Sequence, residues 1–177
     1  MIFSGWVRSS LADARGHVAT VLFTAGCNLR CPFCHNPALV QSAAELPEID
    51  EGEVFDYLAE RKGLIDAVVI SGGEPTLQAD LLPFLRRLRT FERYVKLDSN
   101  GSRPDVLEAV LGGGLVDAVA MDIKAAPANY AGLAGVPVDL DAVQRSVWLL
   151  NAARVDVEFR TTVLRGIHTV EEFAAIA

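Results

Sequence analysis

Five short runs of apolar, largely β-branched residues recur along the chain, and helical spacing fills the stretches between and after them. The runs are Val18 to Phe23, Ala67 to Ile70, Tyr94 to Leu97, Val116 to Met121, and the alternating Val155, Val157 and Phe159. Val54, Phe55, Leu58 and Ala59 make one helical stripe, and Leu81, Leu82, Leu85 and Leu88 a second. Pro104 to Leu111 makes a third, and Val143, Val147 and Leu150 mark a fourth. Asp50 with Glu53, and Thr169 with Glu172, read as capping boxes, and Asp80 as an N-cap. Residues 2 to 17 show no clear period, and Asp13 to Gly16 reads as a turn. Strands that alternate with helices imply parallel pairing through right-handed crossovers. The expected fold class is therefore α/β, with about five parallel strands and flanking helices, in one domain over residues 1–177.

A parallel sheet gathers its strand C-termini on one side, and in α/β folds that side binds ligands. Every chemically unusual segment of the sequence lies at such an end. The first strand runs into Cys27-Asn28-Leu29-Arg30-Cys31-Pro32-Phe33-Cys34-His35-Asn36-Pro37, and the second into Ser71-Gly72-Gly73-Glu74-Pro75. The later strands end in Asp98-Ser99-Asn100-Gly101, in Asp122-Ile123-Lys124 and in Arg160-Thr161-Thr162. Five segments on one face argue for one site.

All three cysteines fall within eight residues, spaced C-x3-C-x2-C between glycine and prolines, so they belong to a loop and not to one helix face. A loop that folds back can aim three thiolates at one centre, and thiolates are the soft ligands of iron–sulfur clusters and zinc. Three ligands leave one coordination position open, which is where a metal does chemistry. A structural zinc site of Cys27, Cys31, Cys34 and His35 is the competing reading, although adjacent Cys34 and His35 would share one ion only under strain. Buried structural thiols have no reason to cluster in such a loop, and an N-terminus without basic and long apolar regions does not suggest disulfide-forming export.

The other strand ends carry weaker signals taken singly. Gly72 and Gly73 permit close approach of backbone to a ligand, and Glu74 offers an acceptor for an ammonium group; a plain glycine turn with a solvated Glu is the simpler alternative. Asp98 and Asp122 need a partner such as Lys124, a cation or a ligand hydroxyl, or else they cap helices. Arg160 can fork onto a ligand carboxylate or pair with Glu158 or an Asp. His168 reads as a loop residue before a cap. A net charge of −7 without a Lys/Arg cluster argues against nucleic acid, and no apolar run reaches the roughly 20 residues that span a bilayer. Thiols suited to metal and the lack of an export signal point to a reducing cytoplasm.

Cys27-x3-Cys31-x-Phe33-Cys34, with its aromatic residue before the last cysteine, resembles the cluster motif of the radical S-adenosylmethionine superfamily. The continuation His35-Asn36-Pro37 resembles the activating enzymes of glycyl-radical proteins, above all those of anaerobic ribonucleotide reductase and of pyruvate formate-lyase. The resemblance runs from Gly5 to His168. It implies a four-iron, four-sulfur cluster on Cys27, Cys31 and Cys34, whose open iron chelates S-adenosylmethionine. Gly72, Gly73 and Glu74 resemble the segment that contacts the ligand's amino group, and Phe33 and His35 match positions near the adenine. Ser99, Asn100, Lys124 and Arg160 resemble residues shaping the ribose and carboxylate side. Asp98 with Met121 and Asp122 resembles the monovalent-cation site of pyruvate formate-lyase activases, and His168 is a looser match.

The implied reaction delivers an electron to the ligand's sulfonium, breaks a carbon–sulfur bond, and releases methionine and a 5'-deoxyadenosyl radical. That radical abstracts a hydrogen from a glycine Cα of a partner such as anaerobic ribonucleotide reductase, with a flavodoxin- or ferredoxin-like electron donor. The alternatives are a radical enzyme acting on a small molecule in cofactor synthesis, and a non-catalytic zinc- or cluster-binding scaffold. Members of the family carry a sixth strand and further helix, so the resemblance implies a partial (βα) barrel of the radical SAM type, with about five parallel strands and flanking helices, that lacks its C-terminal strand and has an open flank.

Overall fold

The structure is a computed structural model that describes residues 1–41 and 45–177. Its main sheet has six strands in the order β2-β3-β5-β6-β7-β8. Five are parallel: β3 (Ala19–Thr24), β5 (Ala67–Gly72), β6 (Tyr94–Ser99), β7 (Ala118–Asp122) and β8 (Asp156–Arg160). These are the five strands the apolar runs predict. The sixth, β2 (Gly5–Ser10), pairs antiparallel with β3 and was not expected. Its residues are half-buried or exposed on both faces, so the edge position leaves no alternation to read. A two-stranded ribbon of β1 (Ile2–Phe3) and β4 (Ile49–Asp50) stands apart from the main sheet.

Register puts the two faces of the sheet to different uses. Leu22, Val68, Ile70, Val95, Leu97, Val119 and Met121 share one buried cluster with the apolar stripes of the helices. These are α2 (Glu51–Glu60), α3 (Leu81–Leu88), α4 (Pro104–Gly112) and α6 (Leu140–Asn151), which contribute residues such as Leu58, Leu85, Leu107 and Leu150. On the opposite face a small cluster of Ala14, Ala19, Val21, Ala67 and Val69 lies over β3 and β5. Towards β6, β7 and β8 that face turns polar, where Lys96 meets Asp98 and Glu158, and Arg160 meets Asp98 and Asp122. The apolar face holds the domain together, and the polar one is left for function.

Three capping expectations are met only in part. Asp50 caps α2, but through the Gly52 N–H at 2.7 Å. Asp80 makes no side-chain cap and instead pairs with the Met1 ammonium at 3.1 Å. Thr169 accepts from the Glu172 N–H at the start of α7 (Val170–Ile176), yet the Glu172 carboxylate turns away. It is buried against the segment before α5 (Tyr130–Ala134), where it accepts from the Ala126 N–H and from Asn129 Nδ2, both at 2.7 Å. A carboxylate expected to close a local box thus ties together two segments distant in sequence. Among the described residues no helix is long and apolar enough to cross a membrane.

Candidate active site

The cysteine loop leaves β3 and is clamped from two sides. On one side the chain after β5 lies directly against the chain after β3. Gly73 N–H donates to Thr24 O and Glu74 N–H to Gly26 O, both at 2.8 Å. A Cβ on Gly73 would stand 1.9 Å from the Gly26 carbonyl oxygen, and one on Gly72, whose φ is +123°, 2.2 Å from Thr24 N. The glycine pair therefore serves first to bring these two backbones together. On the other side Arg30 N–H donates to Ala134 O at 2.8 Å, and Gly135, at φ +71°, ends α5 so close that a Cβ would meet Arg30 O at 2.0 Å. Arg30 also folds back onto its own loop, with Nη1 donating to the Cys27 and Leu29 carbonyls at 2.6 and 2.8 Å.

Cys27, Cys31 and Cys34 are free, half-buried thiols that line one cavity of about 470 Å³. Burial pushes the Cys27 thiol above its ordinary range against the opposing Leu29 N–H, and pushes Cys31 up against the opposing charge of Lys124. A metal that took Cys27 and Cys31 as thiolates would displace their protons.

The same cavity receives every other expected site residue except Met121 and the loosely matched His168: Phe33, His35, Gly72, Gly73, Glu74, Asp98, Ser99, Asn100, Asp122, Lys124 and Arg160 all line it. Short α1 (Ala38–Gln41), which begins just after Pro37, supplies Val40 and Gln41, and β8 continues into Thr161 and Thr162. Neither threonine drew weight in the sequence, although the strand-end rule reaches both. Ser71, the penultimate residue of β5, falls under the same rule.

Glu74 is not the solvated carboxylate of the simpler reading. It is 1 % exposed and takes hydrogen bonds from Thr76 N–H (3.1 Å), Thr76 Oγ1 (2.5 Å), Ser99 Oγ (2.9 Å) and the Asn100 N–H (2.7 Å). Burial raises its carboxyl above the usual carboxylate range, and these four donors oppose the rise. Its first task is to lock the end of β5 to the end of β6. Oε2 carries only one of the four bonds, which leaves acceptor capacity towards the cavity.

At the β6–β8 ends the charges alternate. Arg160 Nη1 lies 3.3 Å from Asp98 and Nε 3.0 Å from Asp122, and Lys124 Nζ is 3.0 Å from the other oxygen of Asp122. The group expected to hold a monovalent cation is brought to adjacent strand ends, but a guanidinium of the chain itself lies between its two carboxylates. Met121 is fully buried, its side chain under Gly101. Among the described residues no three His, Cys, Asp or Glu side chains are set to hold a single ion. His168 does not line the cavity. Its Nδ1 accepts from the Leu164 N–H at 3.0 Å, so Nε2 carries the proton and meets the Lys124 carbonyl at 3.1 Å. The ring pins the backbone beside Lys124.

Three thiols around one cavity suit a thiolate-held cluster with an open position. The cavity has the size of a small-molecule site and is lined by one buried carboxylate, Glu74, and by the cations Lys124 and Arg160.

Comparison with known proteins agrees with this arrangement. The model of the Radical SAM superfamily matches residues 21–177. A protein of Methanocaldococcus jannaschii, provisionally named a glycyl-radical enzyme activating enzyme, is 32% identical over 99% of this chain and 74% of its own length. A Staphylococcus aureus pyruvate formate-lyase-activating enzyme is 38% identical over 46% of this chain and 31% of its own. In fold the chain is similar to SuiB of Streptococcus suis (TM-score 0.66, 16% identity, 88% of this chain and 35% of that one). It is also similar to QueE of Escherichia coli (TM-score 0.53, 13% identity, 91% and 84%). Members of the superfamily bind a four-iron, four-sulfur cluster and S-adenosylmethionine. With the cysteine motif, the strand-end cavity and the family match in agreement, the chain belongs to the radical SAM superfamily of enzymes.

Proposed function

We propose that the protein is an activating enzyme that generates a glycyl radical in a partner of the anaerobic ribonucleotide reductase type. The observation that carries this reading is the convergence of Cys27, Cys31 and Cys34 with Glu74, Lys124 and Arg160 on one cavity, in a chain matched nearly end to end by a relative named for activating glycyl-radical enzymes of unspecified type. The cluster and its ligand supply reductive cleavage of S-adenosylmethionine to methionine and a radical that takes a hydrogen from a glycine Cα. The chain's own part is placement. The three thiolates would hold the cluster, and Glu74 with the neighbouring glycine backbone would receive the ammonium group. Lys124 and Arg160 would receive the carboxylate, Phe33 and His35 would flank the adenine, and Ser99 and Asn100 would face the ribose. The electron would come from a flavodoxin- or ferredoxin-like donor in a reducing cytoplasm.

Anaerobic reconstitution with iron and sulfide, followed by reduction, should yield 5'-deoxyadenosine and methionine in equal amounts. Mixing with a candidate reductase should then give a glycyl radical signal by electron paramagnetic resonance. Cleavage of S-adenosylmethionine with no such signal for any reductase or lyase would move the protein to small-molecule chemistry. That reading draws support from a match over 93% of this chain to a provisional GTP 3',8-cyclase of Thermococcus kodakarensis. One zinc and no iron per chain would leave only a scaffold.

Lys124→Ala should weaken S-adenosylmethionine binding about tenfold, the value of one charge-assisted contact, while iron content stays unchanged. Equilibrium binding to the reconstituted protein measures this, and unchanged affinity would assign Lys124 to Asp122 alone.

A further inference from the structure

The three cysteine sulfurs do not share the same surroundings. Cys27 Sγ receives the Leu29 N–H at 3.4 Å and the Asn100 side-chain Nδ2 at 3.8 Å. Cys31 Sγ has only its own backbone N–H beside it, and among the described residues no side-chain donor reaches the sulfur of Cys31 or Cys34. The second of these contacts comes from a different strand and is held by a chain of bonds. Asn100 is 6 % exposed, its backbone N–H is fixed on buried Glu74, and its Oδ1 accepts from the Ser102 N–H at 3.0 Å. With Oδ1 committed to a donor, the amide nitrogen must face the other way, towards Cys27 Sγ and Asn28 Oδ1 at 2.9 Å.

Hydrogen bonds to ligand sulfur draw negative charge from the metal centre and favour its reduced form, and such second-layer donors set cluster potentials within a family. We infer that Asn100 is a positioning residue that acts on the cluster through Cys27, raising its reduction potential, with Glu74 and Ser102 as the supports that aim the amide. The inference rests on the cluster being held by the three cysteines, but needs neither the partner protein nor the ligand pocket. It gives the buried Glu74 carboxylate a second consequence: the residue that locks β5 to β6 also orients a donor onto one thiolate and not the other two. Asn28 Oδ1 takes one of the two amide hydrogens at 2.9 Å and so holds the nitrogen back from the sulfur, at 3.8 Å.

The test is the midpoint potential of the reconstituted cluster, titrated without S-adenosylmethionine, donor or partner, in two variants expected to move it in opposite directions. Asn100→Leu keeps the size of the side chain and removes the donor. Its midpoint should fall by about 28 mV, a threefold change in the reduction equilibrium at 59 mV per tenfold. Asn28→Ala, at an exposed loop position, frees the amide for sulfur and should raise the midpoint. A wild-type midpoint in Asn100→Leu at full iron content overturns the inference. Should Asn100→Leu fail to retain iron, the Asn28→Ala result decides, and an unchanged or lowered midpoint there also overturns it. A wild-type protein that takes up no four-iron cluster removes the cluster reading itself, a distinct result visible before any variant is made.

Discussion

Replacement of Cys31 by alanine is expected to abolish the four-iron absorption of the reconstituted protein while leaving the fold intact. Cys31 sits in the middle of the cysteine loop, half-buried at the cavity, and its thiol ties the loop to no other segment by a side-chain hydrogen bond among the described residues. Two remaining thiolates cannot hold a cluster that needs at least three protein ligands beside the one from its substrate. The loop itself is fastened elsewhere, by the Arg30 N–H on Ala134 and by the Gly73 and Glu74 N–H groups on Thr24 and Gly26. Stability of the metal-free protein should therefore change by no more than about 1 kcal/mol in a denaturant titration. Full iron content in the variant would refute the ligand assignment.

Gly73→Ala is expected to damage both the fold and the metal site. The added methyl would lie 1.9 Å from the Gly26 oxygen and 2.6 Å from its carbonyl carbon, and both atoms are backbone, so no side chain can rotate out of the way. The two segments would have to part, stretching the Gly73-to-Thr24 and Glu74-to-Gly26 bonds. Overpacking costs about 1–3 kcal/mol, and each weakened bond about 1 kcal/mol more. The midpoint of urea unfolding should fall accordingly, and iron retention should fall with it because Gly26 immediately precedes Cys27. A variant with unaltered unfolding and full iron would show that the contact relaxes. Gly112, with open space around its Cβ position and no positive φ, offers a comparison in which neither crowding nor backbone strain plays a part.

The outline of this molecule is written in short-range pattern. Val68 to Ile70 or Val95 to Leu97 can hardly be anything but buried strands, and the rule that ligands gather at parallel strand ends led from them to the cavity. β2 escaped notice because an edge strand with both faces half-wet has no period. α5 escaped because five residues are too few for a helical stripe. The cysteines announced themselves through residue type and spacing. What could not be read was partnership across the sheet. Nothing local to Ser71-Gly72-Gly73-Glu74 says that the glycines face the chain's own loop, or that Glu74 is buried under donors from β6. Nothing local to Arg160 says that it bridges Asp98 and Asp122, since that depends on the register of three strands.

The bond from Glu172 to Ala126 and Asn129 has a consequence for the order of events during synthesis. The cysteine loop emerges from the ribosome early, and α5, on which Arg30 rests, follows later. The carboxylate that fastens the approach to α5, and the His168 ring that fastens Lys124, come later still. Until those residues appear, the part of the cavity wall that carries Lys124 lacks its anchors. Metal delivered to the nascent chain would meet ligands without an enclosure, so productive loading belongs after translation has passed Glu172.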